Sequence, residues 1–362
     1  MTGPVYPPSA ITSDSRDEQS KEIPIMALHF DDDAKAHTAT DAVDWRESYY
    51  LNFADPTSGL HGVAWQGVRP NMGHGEAVFI LYDGATPLIH SVNMAVPVSA
   101  DIGAERTELG HQRFDCVDPW KHWDVHYDDG ANSAHVTWTQ MTETCDWDWE
   151  ELTGAKHYQG AGRIAVTAIV DGREISFTGY GERDRAWGPR NYDPIEFSWW
   201  TVAQFPDEVA VHGFVQFAGG DYRLHGFLHA DGRTRPLAEF RASDVVYDPA
   251  NGPAQSSRQT FIDDEGRTVE TLNERIHYLQ FGTSDDGAQL EERDPGDQAT
   301  GRMYLTFQKY TRVDGVEGRG MIDNNLRIGT APTEFSAQLP NFSNLYDYGL
   351  AAVSESASAE RN

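Results

Sequence analysis

Six Asp-Gly pairs, at 83–84, 129–130, 171–172, 231–232, 286–287 and 314–315, punctuate a chain in which helical periodicity is hard to find. That pair supplies the positive-φ residues of tight hairpin turns. Short alternating runs rich in Trp, Tyr, Phe, Val and Thr lie between the pairs, as half-buried pleated surfaces prefer. The pattern predicts an all-β, antiparallel protein.

The runs also repeat. Ser48-Tyr49-Tyr50 is echoed by Ser198-Trp199-Trp200, and Leu60-His61-Gly62-Val63 by Val211-His212-Gly213-Phe214. Gly179-Tyr180-Gly181 and Asp184 are echoed by Gly318-Arg319-Gly320 and Asp323. A shared order of matches at a nearly constant offset signals duplication. The expected division is a flexible N-terminal arm (1–39), a first β unit (40–190), a second β unit (191–347) and a flexible C-terminal tail (348–362). Each unit has the length of an eight-to-ten-stranded barrel or strongly bent sandwich. If the units pack about a pseudo-twofold, Asp184 and Asp323 occupy corresponding places. The polar insertions Asp248–Arg258 and Ser284–Thr300 read as surface loops.

Gly179 to Arg190 reads Gly-Tyr-Gly-Glu-Arg-Asp-Arg-Ala-Trp-Gly-Pro-Arg, between strand-like runs at Glu174–Thr178 and Ile195–Val202. Glu182 and Asp184 share one side of an extended chain, and Arg183 and Arg185 the other, unless the chain turns between them. Two readings stand side by side. In one, an Arg–Asp knot clamps strands together. In the other, a carboxyl kept dry beside aromatic rings has its pKa raised and serves as a general acid, with a second carboxylate pushing it further. A guanidinium next to Asp184 would favour the first, because it lowers a carboxyl pKa.

The 362 residues carry 28 Lys plus Arg against 57 Asp plus Glu, a formal net charge of −29, which repels a phosphate backbone and excludes nucleic acid as a partner. No apolar run approaches a membrane span. The first 22 residues lack the order of a signal peptide, so a cytoplasmic location with reduced Cys116 and Cys145 is expected. No phosphate loop, nucleophile elbow or dinucleotide fingerprint is found, and no His spacing specifies a metal site. Accordingly neither cofactor nor metal is expected. His212 and His225 fall mid-strand in runs expected to be adjacent, and His74 with Glu76 reads as a pocket-mouth pair or a solvated turn.

Tyr49, Asp55 and Gly59, then Gly67-Val-Arg-Pro-Asn-Met-Gly-His-Gly-Glu76, then Gly179 to Arg190, together resemble the tandem lipocalin-like family of the bacterial carotenoid 1,2-hydratases. Gly318-Arg-Gly-Met-Ile-Asp323 is similar to the same strand end in the second half. The resemblance covers roughly 40–347 and implies two lipocalin-like antiparallel barrels side by side. It also implies addition of water to, or its removal from, isoprenoid double bonds without a redox cofactor; fungal relatives catalyse pericyclic cyclisations. In the hydratases an Asp near this strand end donates the proton. Asp184 matches it, while Glu182 stands where the family has a Tyr, and Met321 stands there in the second repeat.

These readings combine into one expectation: a hydratase or dehydratase acting on a small hydrophobic, isoprenoid substrate, as a monomer or homodimer. Asp184 is general acid and base, Glu182 its partner and His212 a water-orienting group. Trp187, Tyr192 and Trp199 form an aromatic wall suited to a developing carbocation, with Tyr180 and His225 beside the substrate. Arg183 and Arg190 are the structural clasp. An isomerase or cyclase in the same pocket, and a carrier of a hydrophobic ligand without catalysis, are the alternatives.

Overall fold

The structure, a computed structural model, describes residues 30–98, 106–147, 154–190, 195–218, 221–247, 253–283, 290–293 and 301–327. A short helix, α1 (Phe30–Ala34), precedes two antiparallel sheets. The first sheet comprises β1 (Trp45–Ala54), β2 (Leu60–Arg69), β3 (His74–Asp83), β4 (Thr86–Pro97), β5 (Arg106–Leu109), β6 (Gln112–Asp118), β7 (His122–Asp128), β8 (Ser133–Gln140), β9 (Cys145–Trp147), β10 (Lys156–Val170) and β11 (Arg173–Pro189). The second comprises β12 (Ile195–Gln204), β13 (Ala210–Ala218), β14 (Asp221–Ala230), β15 (Arg233–Tyr247), β16 (Ala254–Asp263), β17 (Thr268–Thr283), β18 (Leu290–Arg293), β19 (Gly301–Arg312) and β20 (Glu317–Arg327).

The first sheet runs β4-β3-β2-β1-β11-β10-β8-β7-β6-β5, nearly closing on itself, with β9 added to β10. The second runs β16-β15-β14-β13-β12-β20-β19-β17 and closes because β16 also pairs β17. Two barrels result, as the alternating runs required. The strand order β4-β3-β2-β1-β11-β10 is matched by β15-β14-β13-β12-β20-β19, so the repeat is structural. Register sharpens it: Tyr50 pairs Asp184, and Trp200 pairs Asp323. Asp171-Gly172 and Asp231-Gly232 place both residues at positive φ, the geometry a two-residue hairpin demands.

Each barrel has its own core. Leu51, Phe53, Phe79, Trp123, Val136 and Trp138 are among those filling the first. Trp199, Phe205, Val215, Phe240, Phe261 and Tyr310 are among those filling the second. A third cluster joins the barrels along a seam, where Val63, Trp65, Val78 and Ile80 meet Trp200, Phe214, Phe281, Leu305 and Met321. Within the first barrel Arg46 and Arg69 grip Glu76 at 2.6 and 2.8 Å, so Glu76 is a buried ion-pair residue and not half of a solvated His-Glu pair.

Three sequence expectations are corrected by the described residues. Gly179 to Pro189 is no connection between strands, since β11 runs through it unbroken from Arg173. Gly179 and Gly181 make room along it: a Cβ at Gly179 would stand 2.0 Å from the Ala54 carbonyl oxygen, and one at Gly181 2.4 Å from that of Asn52. They let β11 lie close against β1. Residues 254–258, expected in a loop, are the start of β16. Part of the expected N-terminal arm is likewise built into the fold, because Asp33 on α1 is fully buried in the first barrel. Cys116 and Cys145 are unbridged, and no described helix is long and apolar enough to cross a membrane.

Candidate active site

Strand alternation divides the charged motif between two surfaces. On β11, Arg183 and Arg185 point into the first barrel and Glu182 and Asp184 point out of it, toward the second. Inside, Arg183 donates to Asp33 at 2.7 Å and lies over the rings of Trp123 and Trp138, 4.8 and 5.0 Å from their centroids. Trp123 Nε1, the Trp120 N–H and the Tyr158 hydroxyl also donate to the Asp33 carboxylate. Burial alone would raise the Asp33 carboxyl; Arg183 and these donors outweigh it and hold it below the ordinary value. Arg185 caps α1, donating to the carbonyls of Asp32, Asp33 and Lys35, and pairs with Glu47 at 2.5 Å. The arginines therefore spend their charge on the α1 plug, and Asp184 is not forked by them.

The outward face contributes to the seam. Glu182, on the first barrel, and His212, on β13 of the second, meet at 2.6 Å with both side chains fully buried. Burial, and then the neighbouring Asp184 charge, pushes the Glu182 carboxyl well above the ordinary range. Burial, with His157 and His225 adding to it, pushes the His212 imidazole well below its own. Both shifts favour the uncharged forms, and one hydrogen bond joins Glu182 Oε1 to His212 Nδ1. A second acid, Asp323 on β20, is pushed up to about 8 by burial and by Asp184. Asp184 keeps 17 % of its side chain exposed and lies 3.5 Å from Nε2 of His157 on β10. Burial holds His157 below its ordinary value against the pull of Asp184.

Aromatic and amide groups close around these acids. The Tyr50 ring meets Trp200 edge-on with centroids 5.8 Å apart, and Trp200 meets His212 at 5.3 Å. Burial, followed by the charges of Asp184 and Asp323, raises the Tyr50 hydroxyl well above its usual value. The Asn52 side-chain oxygen accepts from the Glu182 N–H at 3.2 Å, and Trp200 Nε1 donates to Gln159 at 3.5 Å. Beside this cluster lies a small seam pocket, a cavity of about 10 Å³, lined by residues that include Asn52, Tyr180, Val202, Phe307, Arg319 and Met321.

Of the residues singled out from sequence, Asp184, Glu182 and His212 come together at the seam, and Tyr180 lines the adjoining pocket. His225 sits on β14, the strand next to that of His212, in diagonal register and not directly opposite, because His212 pairs Phe227. Trp187 lies on the inner face, stacked on His37 at 3.8 Å at the plugged end of the first barrel. Trp199 points into the core of the second barrel, and its neighbour Trp200 takes the place on the wall. Arg183 clasps Asp33 and not Asp184. Arg190 is buried, its N–H donating to the Asp44 carbonyl and its charge felt by His157. Tyr192 lies outside the described residues. Sequence reasoning left out Asp323, Tyr50, Trp200 and His157. The repeat carried the signal for three of them, because it aligns Asp323 with Asp184 and Tyr50 with Trp200.

At the seam, no three ligating side chains converge closely enough to hold a metal ion among the described residues. What the arrangement offers is acid–base chemistry: two carboxyls shifted toward the protonated form, a third carboxyl beside them and imidazoles shifted toward the neutral form, enclosed by aromatic faces.

The fold is shared with solved structures, among them these three. An AttH-assigned protein of Nitrosomonas europaea superposes with a TM-score of 0.60 at 17% identity, covering 83% of this chain and 97% of that one. CghA, solved with Sch210972, gives 0.53 at 13% identity, with 81% and 95% covered. Kievitone hydratase of Nectria haematococca gives 0.51 at 10% identity, with 82% and 97% covered. At these identities the likeness is one of fold. No curated protein matches the chain in sequence. A family profile matches residues 31–327, from the plug helix to the last described strand, and by that match the chain belongs to DUF7064, described as a domain of unknown function.

Proposed function

We propose that the seam between the barrels is the active site of an enzyme that adds water to, or removes it from, an apolar substrate of isoprenoid type. The observation that carries this reading is Asp323, an acid pushed up to about 8 beside Asp184 and facing the seam that holds Tyr50 and Trp200. An acid that keeps its proton near neutral pH, close to a second carboxyl, supplies an acid and a base in one place. In the hydration direction, Asp323 gives its proton to the double bond. The positive charge that develops faces the rings of Trp200 and Tyr50, and a desolvated cation–π contact is worth about 2 kcal/mol or more. Water adds to the cation and releases a proton to Asp184. Passing that proton back to Asp323 restores the starting state, and the net change is addition of H and OH. The Glu182–His212 pair, neutral and rigid, orients the water or the alcohol. The side chains of Val202, Phe307 and Met321 give the apolar body of the substrate a matching surface along the seam. A shared fold with a protein named as a hydratase supports the choice of reaction.

The test is a panel of isoprenoid alkenes and tertiary alcohols incubated in water labelled with oxygen-18. Label enters the product, and Asp184→Asn and Asp323→Asn, folded as the parent, lose about 10²–10⁴ of the rate. Turnover without label would mean an isomerase or cyclase. Full turnover by a folded Asp184→Asn chain would remove Asp184 from the chemistry. An apolar ligand that co-purifies in native mass spectra and is never converted would mean a carrier.

A further inference from the structure

The outer wall of the first barrel carries a second group of chemically capable side chains, away from the seam. On β7, Trp123, Val125 and Tyr127 point into the core, which turns His122, Asp124 and His126 outward. The neighbouring β8 sets His135 directly opposite His126, and β6 sets Asp115 opposite Asp124. The two opposed imidazoles lie parallel, with centroids 4.4 Å apart. His135 Nε2 stands 3.2 Å from Asp124 Oδ1, and His122 Nε2 stands 3.3 Å from the same oxygen. His126 Nε2 is 3.6 Å from Asp115 Oδ2, an oxygen that Arg113 also holds, at 2.6 Å. One ligand atom each from Asp124, His126 and His135 lies within 4.8 Å of the other two.

From these positions we infer that Asp124, His126 and His135 form a binding site for a divalent transition-metal ion of the zinc class. Ligands at the usual zinc distances of about 2.0–2.2 Å stand about 3.4 Å apart around a tetrahedral centre. Closing 4.8 Å to that spacing takes side-chain rotations of about an ångström. The side chains have room for them, since His135 is 45% exposed and His126 37%. The backbone needs no change, because adjacent strands hold opposed residues at a fixed separation. Two imidazoles and one carboxylate select zinc, copper or nickel over calcium and magnesium, which take oxygen ligands. The ion would pin β7 to β8 on the barrel wall, and a chain of net charge −29 raises the local cation concentration around it.

Calorimetric titration of zinc chloride into the full chain, first treated with chelator and desalted, tests this. The expected result is one zinc per chain, bound on the order of a hundredfold more weakly in His135→Asn and in His126→Asn. Without metal, both variants keep the parent melting midpoint, and added zinc raises the midpoint of the parent alone. Absence of zinc binding, equal affinity in parent and variants, or equal competition by magnesium would each overturn the assignment.

Discussion

Replacing Asp323 by Asn changes one atom's chemistry and almost no volume, so it isolates the cost of placing a carboxylate in the seam. An Asp carboxyl that titrates near 8 instead of its ordinary 3.8 binds its proton more tightly in the folded chain than in the unfolded one. The folded state is then the one with more protons, and stability falls as pH rises between these two values. At about 1.4 kcal/mol per pH unit, the interval of roughly four units corresponds to on the order of 5 kcal/mol. Asp323 retains partial contact with solvent, and water entry trims the penalty, so about 2–3 kcal/mol is the working expectation. The Asn side chain is neutral at every pH. Near pH 4 the parent and Asp323→Asn therefore unfold at similar urea concentrations. Above pH 8 the variant is the more stable, by that margin. Urea titrations followed by tryptophan fluorescence at half-unit steps from pH 4 to 9 measure the difference directly. A difference that stays flat across the range would refute a carboxyl held neutral at the seam.

Three more outcomes follow from the same structure. Arg183→Ala leaves Asp33 buried without its cation and costs about 3–5 kcal/mol in urea denaturation; a loss under about 1 kcal/mol would show that the plug does not depend on this pair. Gly181→Ala forces a methyl against the Asn52 carbonyl and lowers stability by about 1–3 kcal/mol, read as a drop in melting midpoint, whereas an unchanged midpoint would mean that the two strands separate freely. In an imidazole NMR titration His212 stays uncharged at pH 6, because burial holds it well below the ordinary value; a midpoint at 6.5 or above would dismantle the neutral pair with Glu182.

How much of this could be read from the amino-acid order depends on the range of the interaction. Turn chemistry is local, so the Asp-Gly pairs announced hairpins and the all-β class. Duplication leaves a pattern in the chain itself, and that pattern located the corresponding strands and the two aligned acids. The two-residue period of a strand was enough to separate Glu182 and Asp184 from Arg183 and Arg185. Which side faced what was not, because it depends on α1 entering the barrel from more than a hundred residues away. The same blindness put Trp199 on the wall in place of Trp200, since adjacent residues on one strand differ only in which barrel surface they reach. The packing role of Gly179 and Gly181 was not legible, because a close approach between β1 and β11 has no signature within either segment.

The correspondence between the halves also has a residue at which it fails. Where the first copy presents Glu182 the second presents Met321, so a molecule lying along the interface meets a carboxyl at one end and a thioether at the other. Two equal halves would accept a substrate in either direction, with two mixtures of products. An acid on one side alone makes the interface directional, and under the proposed reaction selectivity between the ends of a nearly symmetric substrate would trace to this one difference between the copies. Equal amounts of both positional isomers from such a substrate would contradict it.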